Sequence, residues 1–112
     1  MISVNRRRGE VAARIDGTDY TLCLTLGALA ELEDAFAADD LGELAKRFSS
    51  GRLSARDMLR VIAAGLRGGG HAVSDEDVRA MRCEEGAAGL ARVVSALLIA
   101  TFGGAEGPTQ NP

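Results

Sequence analysis

The sequence predicts an α+β fold, mostly α, with one N-terminal β-hairpin packed on about five short helices. Three observations lead there. Asp16-Gly17 separates two short alternating stretches, and Gly accepts the positive φ that a tight hairpin turn needs. From Leu26 onward, apolar residues recur at helical spacing. Two helix starts repeat one device, a Ser with an Asp three residues later between apolar residues placed as a hydrophobic staple.

The elements follow in order. Val11, Ala13 and Ile15 alternate with Ala12, Arg14 and Asp16, and Thr18 to Leu24 form the return strand. One hairpin is marginal alone and must pack on helices. Thr25 can cap a first helix running to about Ala37, with Leu24 and Leu29 as the staple. Asp40 and Glu43 open a second helix as in a capping box; Leu41, Leu44, Ala45 and Phe48 give its apolar face, and Ser49-Ser50-Gly51 ends it. The third helix opens on Ser54/Asp57 with Leu53/Met58 as staple. Met58, Leu59, Val61, Ile62 and Leu66 give it a wide apolar face, which suggests a central position, and Gly68-Gly69-Gly70 stops it. Ser74/Asp77 and Val73/Val78 repeat the device for a short fourth helix, from about Asp75 to Arg82. A last helix starts near Gly86 or Ala87 and ends at Phe102, with Leu90, Val93, Val94, Leu97, Leu98 and Thr101 on its apolar side. Ile99 and Phe102 widen that side beyond one stripe.

These elements give three segments: a flexible basic arm over residues 1–8, a single compact domain over 9–103, and a disordered tail over 104–112. Apolar residues make up 46% and charged residues 26% of the 112, as in an ordinary globular protein. Aromatics are only 4%, so aliphatic side chains must build the core. A net charge of −3 argues against direct nucleic-acid binding, which favours basic domains. No apolar stretch follows Met1, so no secretory signal is expected and both thiols are expected to stay reduced in the cytoplasm. The most apolar run, Val93 to Phe102, is too short to span a bilayer, so no membrane partner is expected.

No catalytic, cofactor-binding or metal-binding set is visible, and the chain is expected not to be an enzyme. His71 has no Cys, Ser or second His at useful spacing and reads as a solvated loop residue. Cys23 and Cys83 lie outside any CxxC or Cys/His cluster. Cys23, on a predicted strand, reads as a small core residue. Gly68-Gly69-Gly70 follows a helix rather than a strand, which fits a helix terminator and not a phosphate cradle.

Charge is segregated. Glu31, Glu33, Asp34, Asp39, Asp40 and Glu43 form an acidic stretch; Lys46, Arg47, Arg52, Arg56, Arg60 and Arg67 form a basic one with Asp57 alone against them. Helical spacing puts Arg56, Arg60 and Arg67 on one face of the third helix. Solvated faces with intrachain pairs explain this, as does a surface that steers a partner. With the surplus apolar residues of the last helix, the partner-binding candidates are Arg56, Arg60, Arg67, Ile99 and Phe102.

The chain also resembles a family. Asn5-Arg6-Arg7-Arg8-Gly9-Glu10-Val11 and Leu24-Thr25-Leu26-Gly27-Ala28-Leu29-Ala30-Glu31-Leu32-Glu33 look like the opening of small tail proteins encoded in gene transfer agent clusters. Phe48-Ser49-Ser50-Gly51-Arg52-Leu53-Ser54-Ala55-Arg56-Asp57 and Ala64-Gly65-Leu66-Arg67-Gly68-Gly69-Gly70-His71 are similar to the middle of that family. The resemblance runs from about Asn5 to Gly103. Gene transfer agents are phage-like particles with which alphaproteobacteria package host DNA. The family carries two descriptions, tail tube protein and tail assembly chaperone. A tube wall needs strands joined edge to edge, and this chain offers one hairpin, which favours the chaperone. The resemblance then implies a non-enzymatic protein that coats the tape-measure protein and helps recruit tail tube subunits, with a homo-oligomer also open to it. It implies work in the bacterial cytoplasm during particle assembly. The alternative is a tube or connector protein retained in the particle's tail.

Overall fold

The computed structural model describes residues 9–83 and 85–103. The expected arm, residues 1–8, and tail, residues 104–112, lie outside the described residues.

Strands β1 (Glu10–Ile15) and β2 (Thr18–Cys23) pair antiparallel, Ile15 opposite Thr18 and Glu10 opposite Cys23. Asp16 at φ 55 and Gly17 at φ 73 give the two left-handed positions of a type I′ turn, whose twist suits the flanking strands. Ala13, Ile15 and Leu22 face the core, while Ala12, Arg14 and Asp19 face outward. Arg14 and Asp19 pair across the strands at 3.0 Å.

The first four helices start where their cap residues predict. Helix α1 (Leu26–Phe36) opens on Thr25, whose hydroxyl accepts the Ala28 N–H at 3.1 Å. It ends in a Schellman turn: the Ala38 N–H reaches the Glu33 carbonyl at 2.9 Å, with Ala37 at φ 54. Helix α2 (Leu41–Ser49) opens on Asp40, which accepts the Glu43 N–H at 2.8 Å. The return bond differs from the expected capping box, because Glu43 accepts the N–H of Asp39 rather than that of Asp40. In α3 (Ala55–Gly68) and α4 (Asp75–Arg79) both capping boxes are complete. Helix α5 (Gly86–Phe102) starts with no side-chain cap and stops at Gly103, at φ 84.

Two expectations need correction. Helix α4 ends at Arg79, not near Arg82. The hairpin claims the next residues: the Asp16 N–H donates to the Arg82 carbonyl at 2.8 Å, the Arg82 N–H donates to Asp16 Oδ1 at 3.1 Å, and Ile15 pairs with Cys83 as an antiparallel bridge. Cys23 is not a core residue, because the odd positions of β2 point away from the face that carries Leu22; it is half-buried and in no disulfide.

Helix α3 is central, as its wide apolar face predicts. Every residue from Val61 to Leu66 is buried, and the helix packs against β2, α1, α4 and α5. Ile15 and Leu22 of the hairpin, Leu32 of α1 and Leu97 of α5 are fully buried, as are Leu66 of α3 itself and Leu44 of α2. Each such chain contributes about 1.5–3 kcal/mol of transfer free energy. At its C-terminal end α3 runs against the outer edge of β2. A β-carbon at Gly68 would overlap the Cys23 carbonyl oxygen, and one at Gly69 that of Thr21. These glycines therefore do more than end a helix; they let α3 close one edge of the sheet.

Candidate partner-binding groove

The three phenylalanines organise the far side of the domain. Phe36 of α1 meets Phe48 of α2 edge to face at 5.4 Å between centroids, and Phe48 meets Phe102 of α5 at 6.2 Å. The Arg47 guanidinium lies over the Phe36 ring at 5.1 Å and donates to Asp57 at 3.3 Å. Arg47 thus ties α1 and α2 to the cap of α3. Burial pushes the Asp57 carboxyl up, but the Ser54 N–H and the Arg47 guanidinium outweigh it and hold the group below its ordinary value.

Beyond Phe48 and Phe102, helices α2 and α5 diverge and leave a groove of about 620 Å³. Leu53 and Met58 line it from the start of α3, and Val94, Leu98 and Ile99 line it from α5. Ile99 stands 48% exposed at this groove, a large apolar side chain left in water. Apart from Ser49 and Ser95, its side-chain walls are apolar.

The sequence-derived candidates separate. Ile99 and Phe102 come together in the groove. Arg56 and Arg60 lie outside it on α3, with no ion pair among the described residues. Arg67 is engaged within the chain: it donates to Glu31 at 2.6 Å, to Asp75 at 3.2 Å and to the Val73 carbonyl at 3.0 Å. It fastens α1 and α4 to α3, and the Glu31 carboxylate holds its charged form above the ordinary arginine value. In the sequence Leu53 and Met58 formed a staple, and Met58 also belonged to the apolar face of the third helix; their place in the groove depends on how α5 crosses α3.

His71 is not a solvated loop residue. Its ring packs edge to face on Tyr20 at 4.9 Å, and its buried Nε2 has no hydrogen-bond partner. Among the described residues no cluster of His, Cys, Asp and Glu could hold a metal ion. Among them, too, no helix is long and apolar enough to cross a membrane.

The fold defines a small, mostly helical α+β domain with an apolar groove between two helices. The chain belongs to the gene transfer agent tail family whose model, described as "Phage tail tube protein, GTA-gp10", matches residues 8–104. That places it among phage tail proteins. No curated protein and no solved structure matches it.

Proposed function

We propose that the chain is a non-enzymatic tail-assembly chaperone, which covers apolar helical surface of the tape-measure protein and helps recruit tail tube subunits. The observation that carries this reading is the α2/α5 groove with Phe48, Leu53, Met58, Leu98, Ile99 and Phe102 on its walls. An amphipathic helix presents apolar side chains at i, i+3 or i+4 and i+7, and a groove between two helices accepts that stripe. Arg56, Arg60 and Arg67 add positive charge on α3 that steers an acidic partner; Arg67 steers least, because Glu31 and Asp75 share its charge. Assembly of this kind takes place in the bacterial cytoplasm before the particle is complete.

A second reading, a tube subunit retained in the particle, is favoured by the family's description. Against it stands the sheet. A tube wall joins strands at both edges, and here the β2 edge is closed by Gly68 and Gly69.

Co-expression with the tape-measure protein and capture through a tag on this chain tests the proposal. The tape-measure protein is expected in the eluate. Ile99→Ala should reduce its recovery more than Arg56→Glu with Arg60→Glu, and the arginine pair should lower the salt dependence. No capture at any salt concentration would overturn the reading.

A further inference from the structure

The α2/α5 groove does not end at Met58. A second cavity, of about 220 Å³, opens on the other side of that residue, between α3, α4 and the start of α5. Met58 lines both, and on α5 the two meet between Leu90 and Ala91. Ala87, Ala91, Val94, Leu98 and Phe102 follow one another at i, i+4, i+7, i+11 and i+15, so a single face of α5 forms one wall of both cavities. At 1.5 Å per residue this face gives an apolar trough about 22 Å long, roughly four helical turns.

The two rims of the trough differ in charge. Along the α5 side, Ala87, Ala91 and Ser95 are exposed and uncharged, and the nearby Arg92 pairs with Glu85. The other side carries Lys46, next to the lining Ala45, Arg52, between the lining Gly51 and Leu53, and Arg56, next to the lining Ala55. All three are exposed, and none has an ion pair among the described residues. The acids of that side are occupied: Asp57 by Arg47 and the Ser54 N–H, Glu76 by Arg79.

We infer that the trough takes one amphipathic helix of about four turns from the tape-measure protein, laid along α5, with acidic residues only on the flank that faces Lys46, Arg52 and Arg56. The inference rests on the groove reading above and adds the partner's length, its charge pattern and the second cavity. A helix with its apolar stripe in a trough keeps its two flanks at the rims, so each rim meets one flank. Acids toward Lys46, Arg52 and Arg56 meet three cations that have no other ion pair. Small residues toward Ala91 and Ser95 allow a close approach to α5. The acidic helices of a second copy do not fit, because the apolar stripes of α1 and α2 are buried in their own core.

Photo-crosslinking in the co-expressed complex tests it, with p-benzoylphenylalanine placed at the exposed Ala87 in the second cavity and at the exposed Ser95 in the groove. Both probes should crosslink one tape-measure segment, at points about eight residues apart, the spacing of the two probes along α5. Lys46→Glu with Arg52→Glu should weaken capture of the tape-measure protein about three- to tenfold at low salt, the loss expected for two exposed pairs. Changing the acids on the mapped flank to lysine should restore capture by that double variant. Circular dichroism should show the same fold in every variant. A crosslink from Ser95 alone would overturn this inference and leave the groove reading standing, whereas no capture by the wild type would overturn both. Crosslinks to a second copy of this chain, or to separate tape-measure segments, would also overturn it. So would a Lys46/Arg52 variant that captures as well as the wild type.

Discussion

Gly69 stands against Thr21 with no room between them: a β-carbon at Gly69 would overlap the Thr21 carbonyl oxygen. Gly68 stands in the same relation to Cys23, so the end of α3 seals the outer edge of β2 by backbone contact alone. The backbone cannot retreat easily, because α3 is buried from Val61 to Leu66. Gly69→Ala should therefore destabilise the fold by about 2–3 kcal/mol, the upper range for overpacking. Gly65→Ala should cost less, since its new carbon meets the movable Leu97 Cδ1 at 2.9 Å rather than backbone. Urea midpoints for the two variants check the order.

The end of α1 holds a correctable strain. Ala37 sits at φ 54, a left-handed backbone that disfavours any residue with a β-carbon. Glycine there keeps the Schellman bonds and relieves that strain. Ala37→Gly should stabilise the protein by up to about 1 kcal/mol, even though glycine loosens the unfolded chain. Thermal unfolding of the single variant is the check.

The two capping boxes make a paired test. Ser54→Ala and Ser74→Ala should each cost about 1 kcal/mol. Asp57→Asn should cost more than Asp77→Asn, because Asp57 also anchors Arg47. The Asp57 carboxyl is held below its ordinary value, so its stabilisation is fully present above the unfolded value of about 3.9 and is lost as the pH falls through the lower folded value. The gap between wild type and Asp57→Asn should be constant near neutral pH and shrink only below about pH 4. Denaturation series at both pH extremes show whether it does.

Arg67 clamps three helices from a partly exposed position. Arg67→Lys leaves the charge but loses the fork that holds Glu31 and Asp75 at once, and should cost about 1 kcal/mol at low salt. The deficit should narrow in high salt, where the wild-type pairs are screened. Urea melts at two ionic strengths measure both effects.

Much of this fold was legible in local chemistry. Thr25, Asp40, Ser54 and Ser74 marked helix starts because capping is decided within one turn, and Asp16-Gly17 marked the hairpin for the same reason. What depends on tertiary contact was not legible. Helix spacing grouped Arg67 with Arg56 and Arg60, yet the approach of Glu31 and Asp75 gives it a structural task. The glycine run looked like a stop signal until the edge of β2 came against it. Ile99 and Phe102 were marked by surplus hydrophobicity on α5, but Leu53 and Met58 join them only because α2 and α5 diverge.

The proposed role is to act on the tail during assembly rather than to form its wall. The most direct measurement is the copy number of the chain in purified particles, relative to the tape-measure protein, by quantitative mass spectrometry. A chaperone is expected at a copy number far below that of a tube subunit, and bound instead to tape-measure protein in lysates of assembling cells. Many copies per tape-measure chain in finished particles would contradict it and make the chain a wall component.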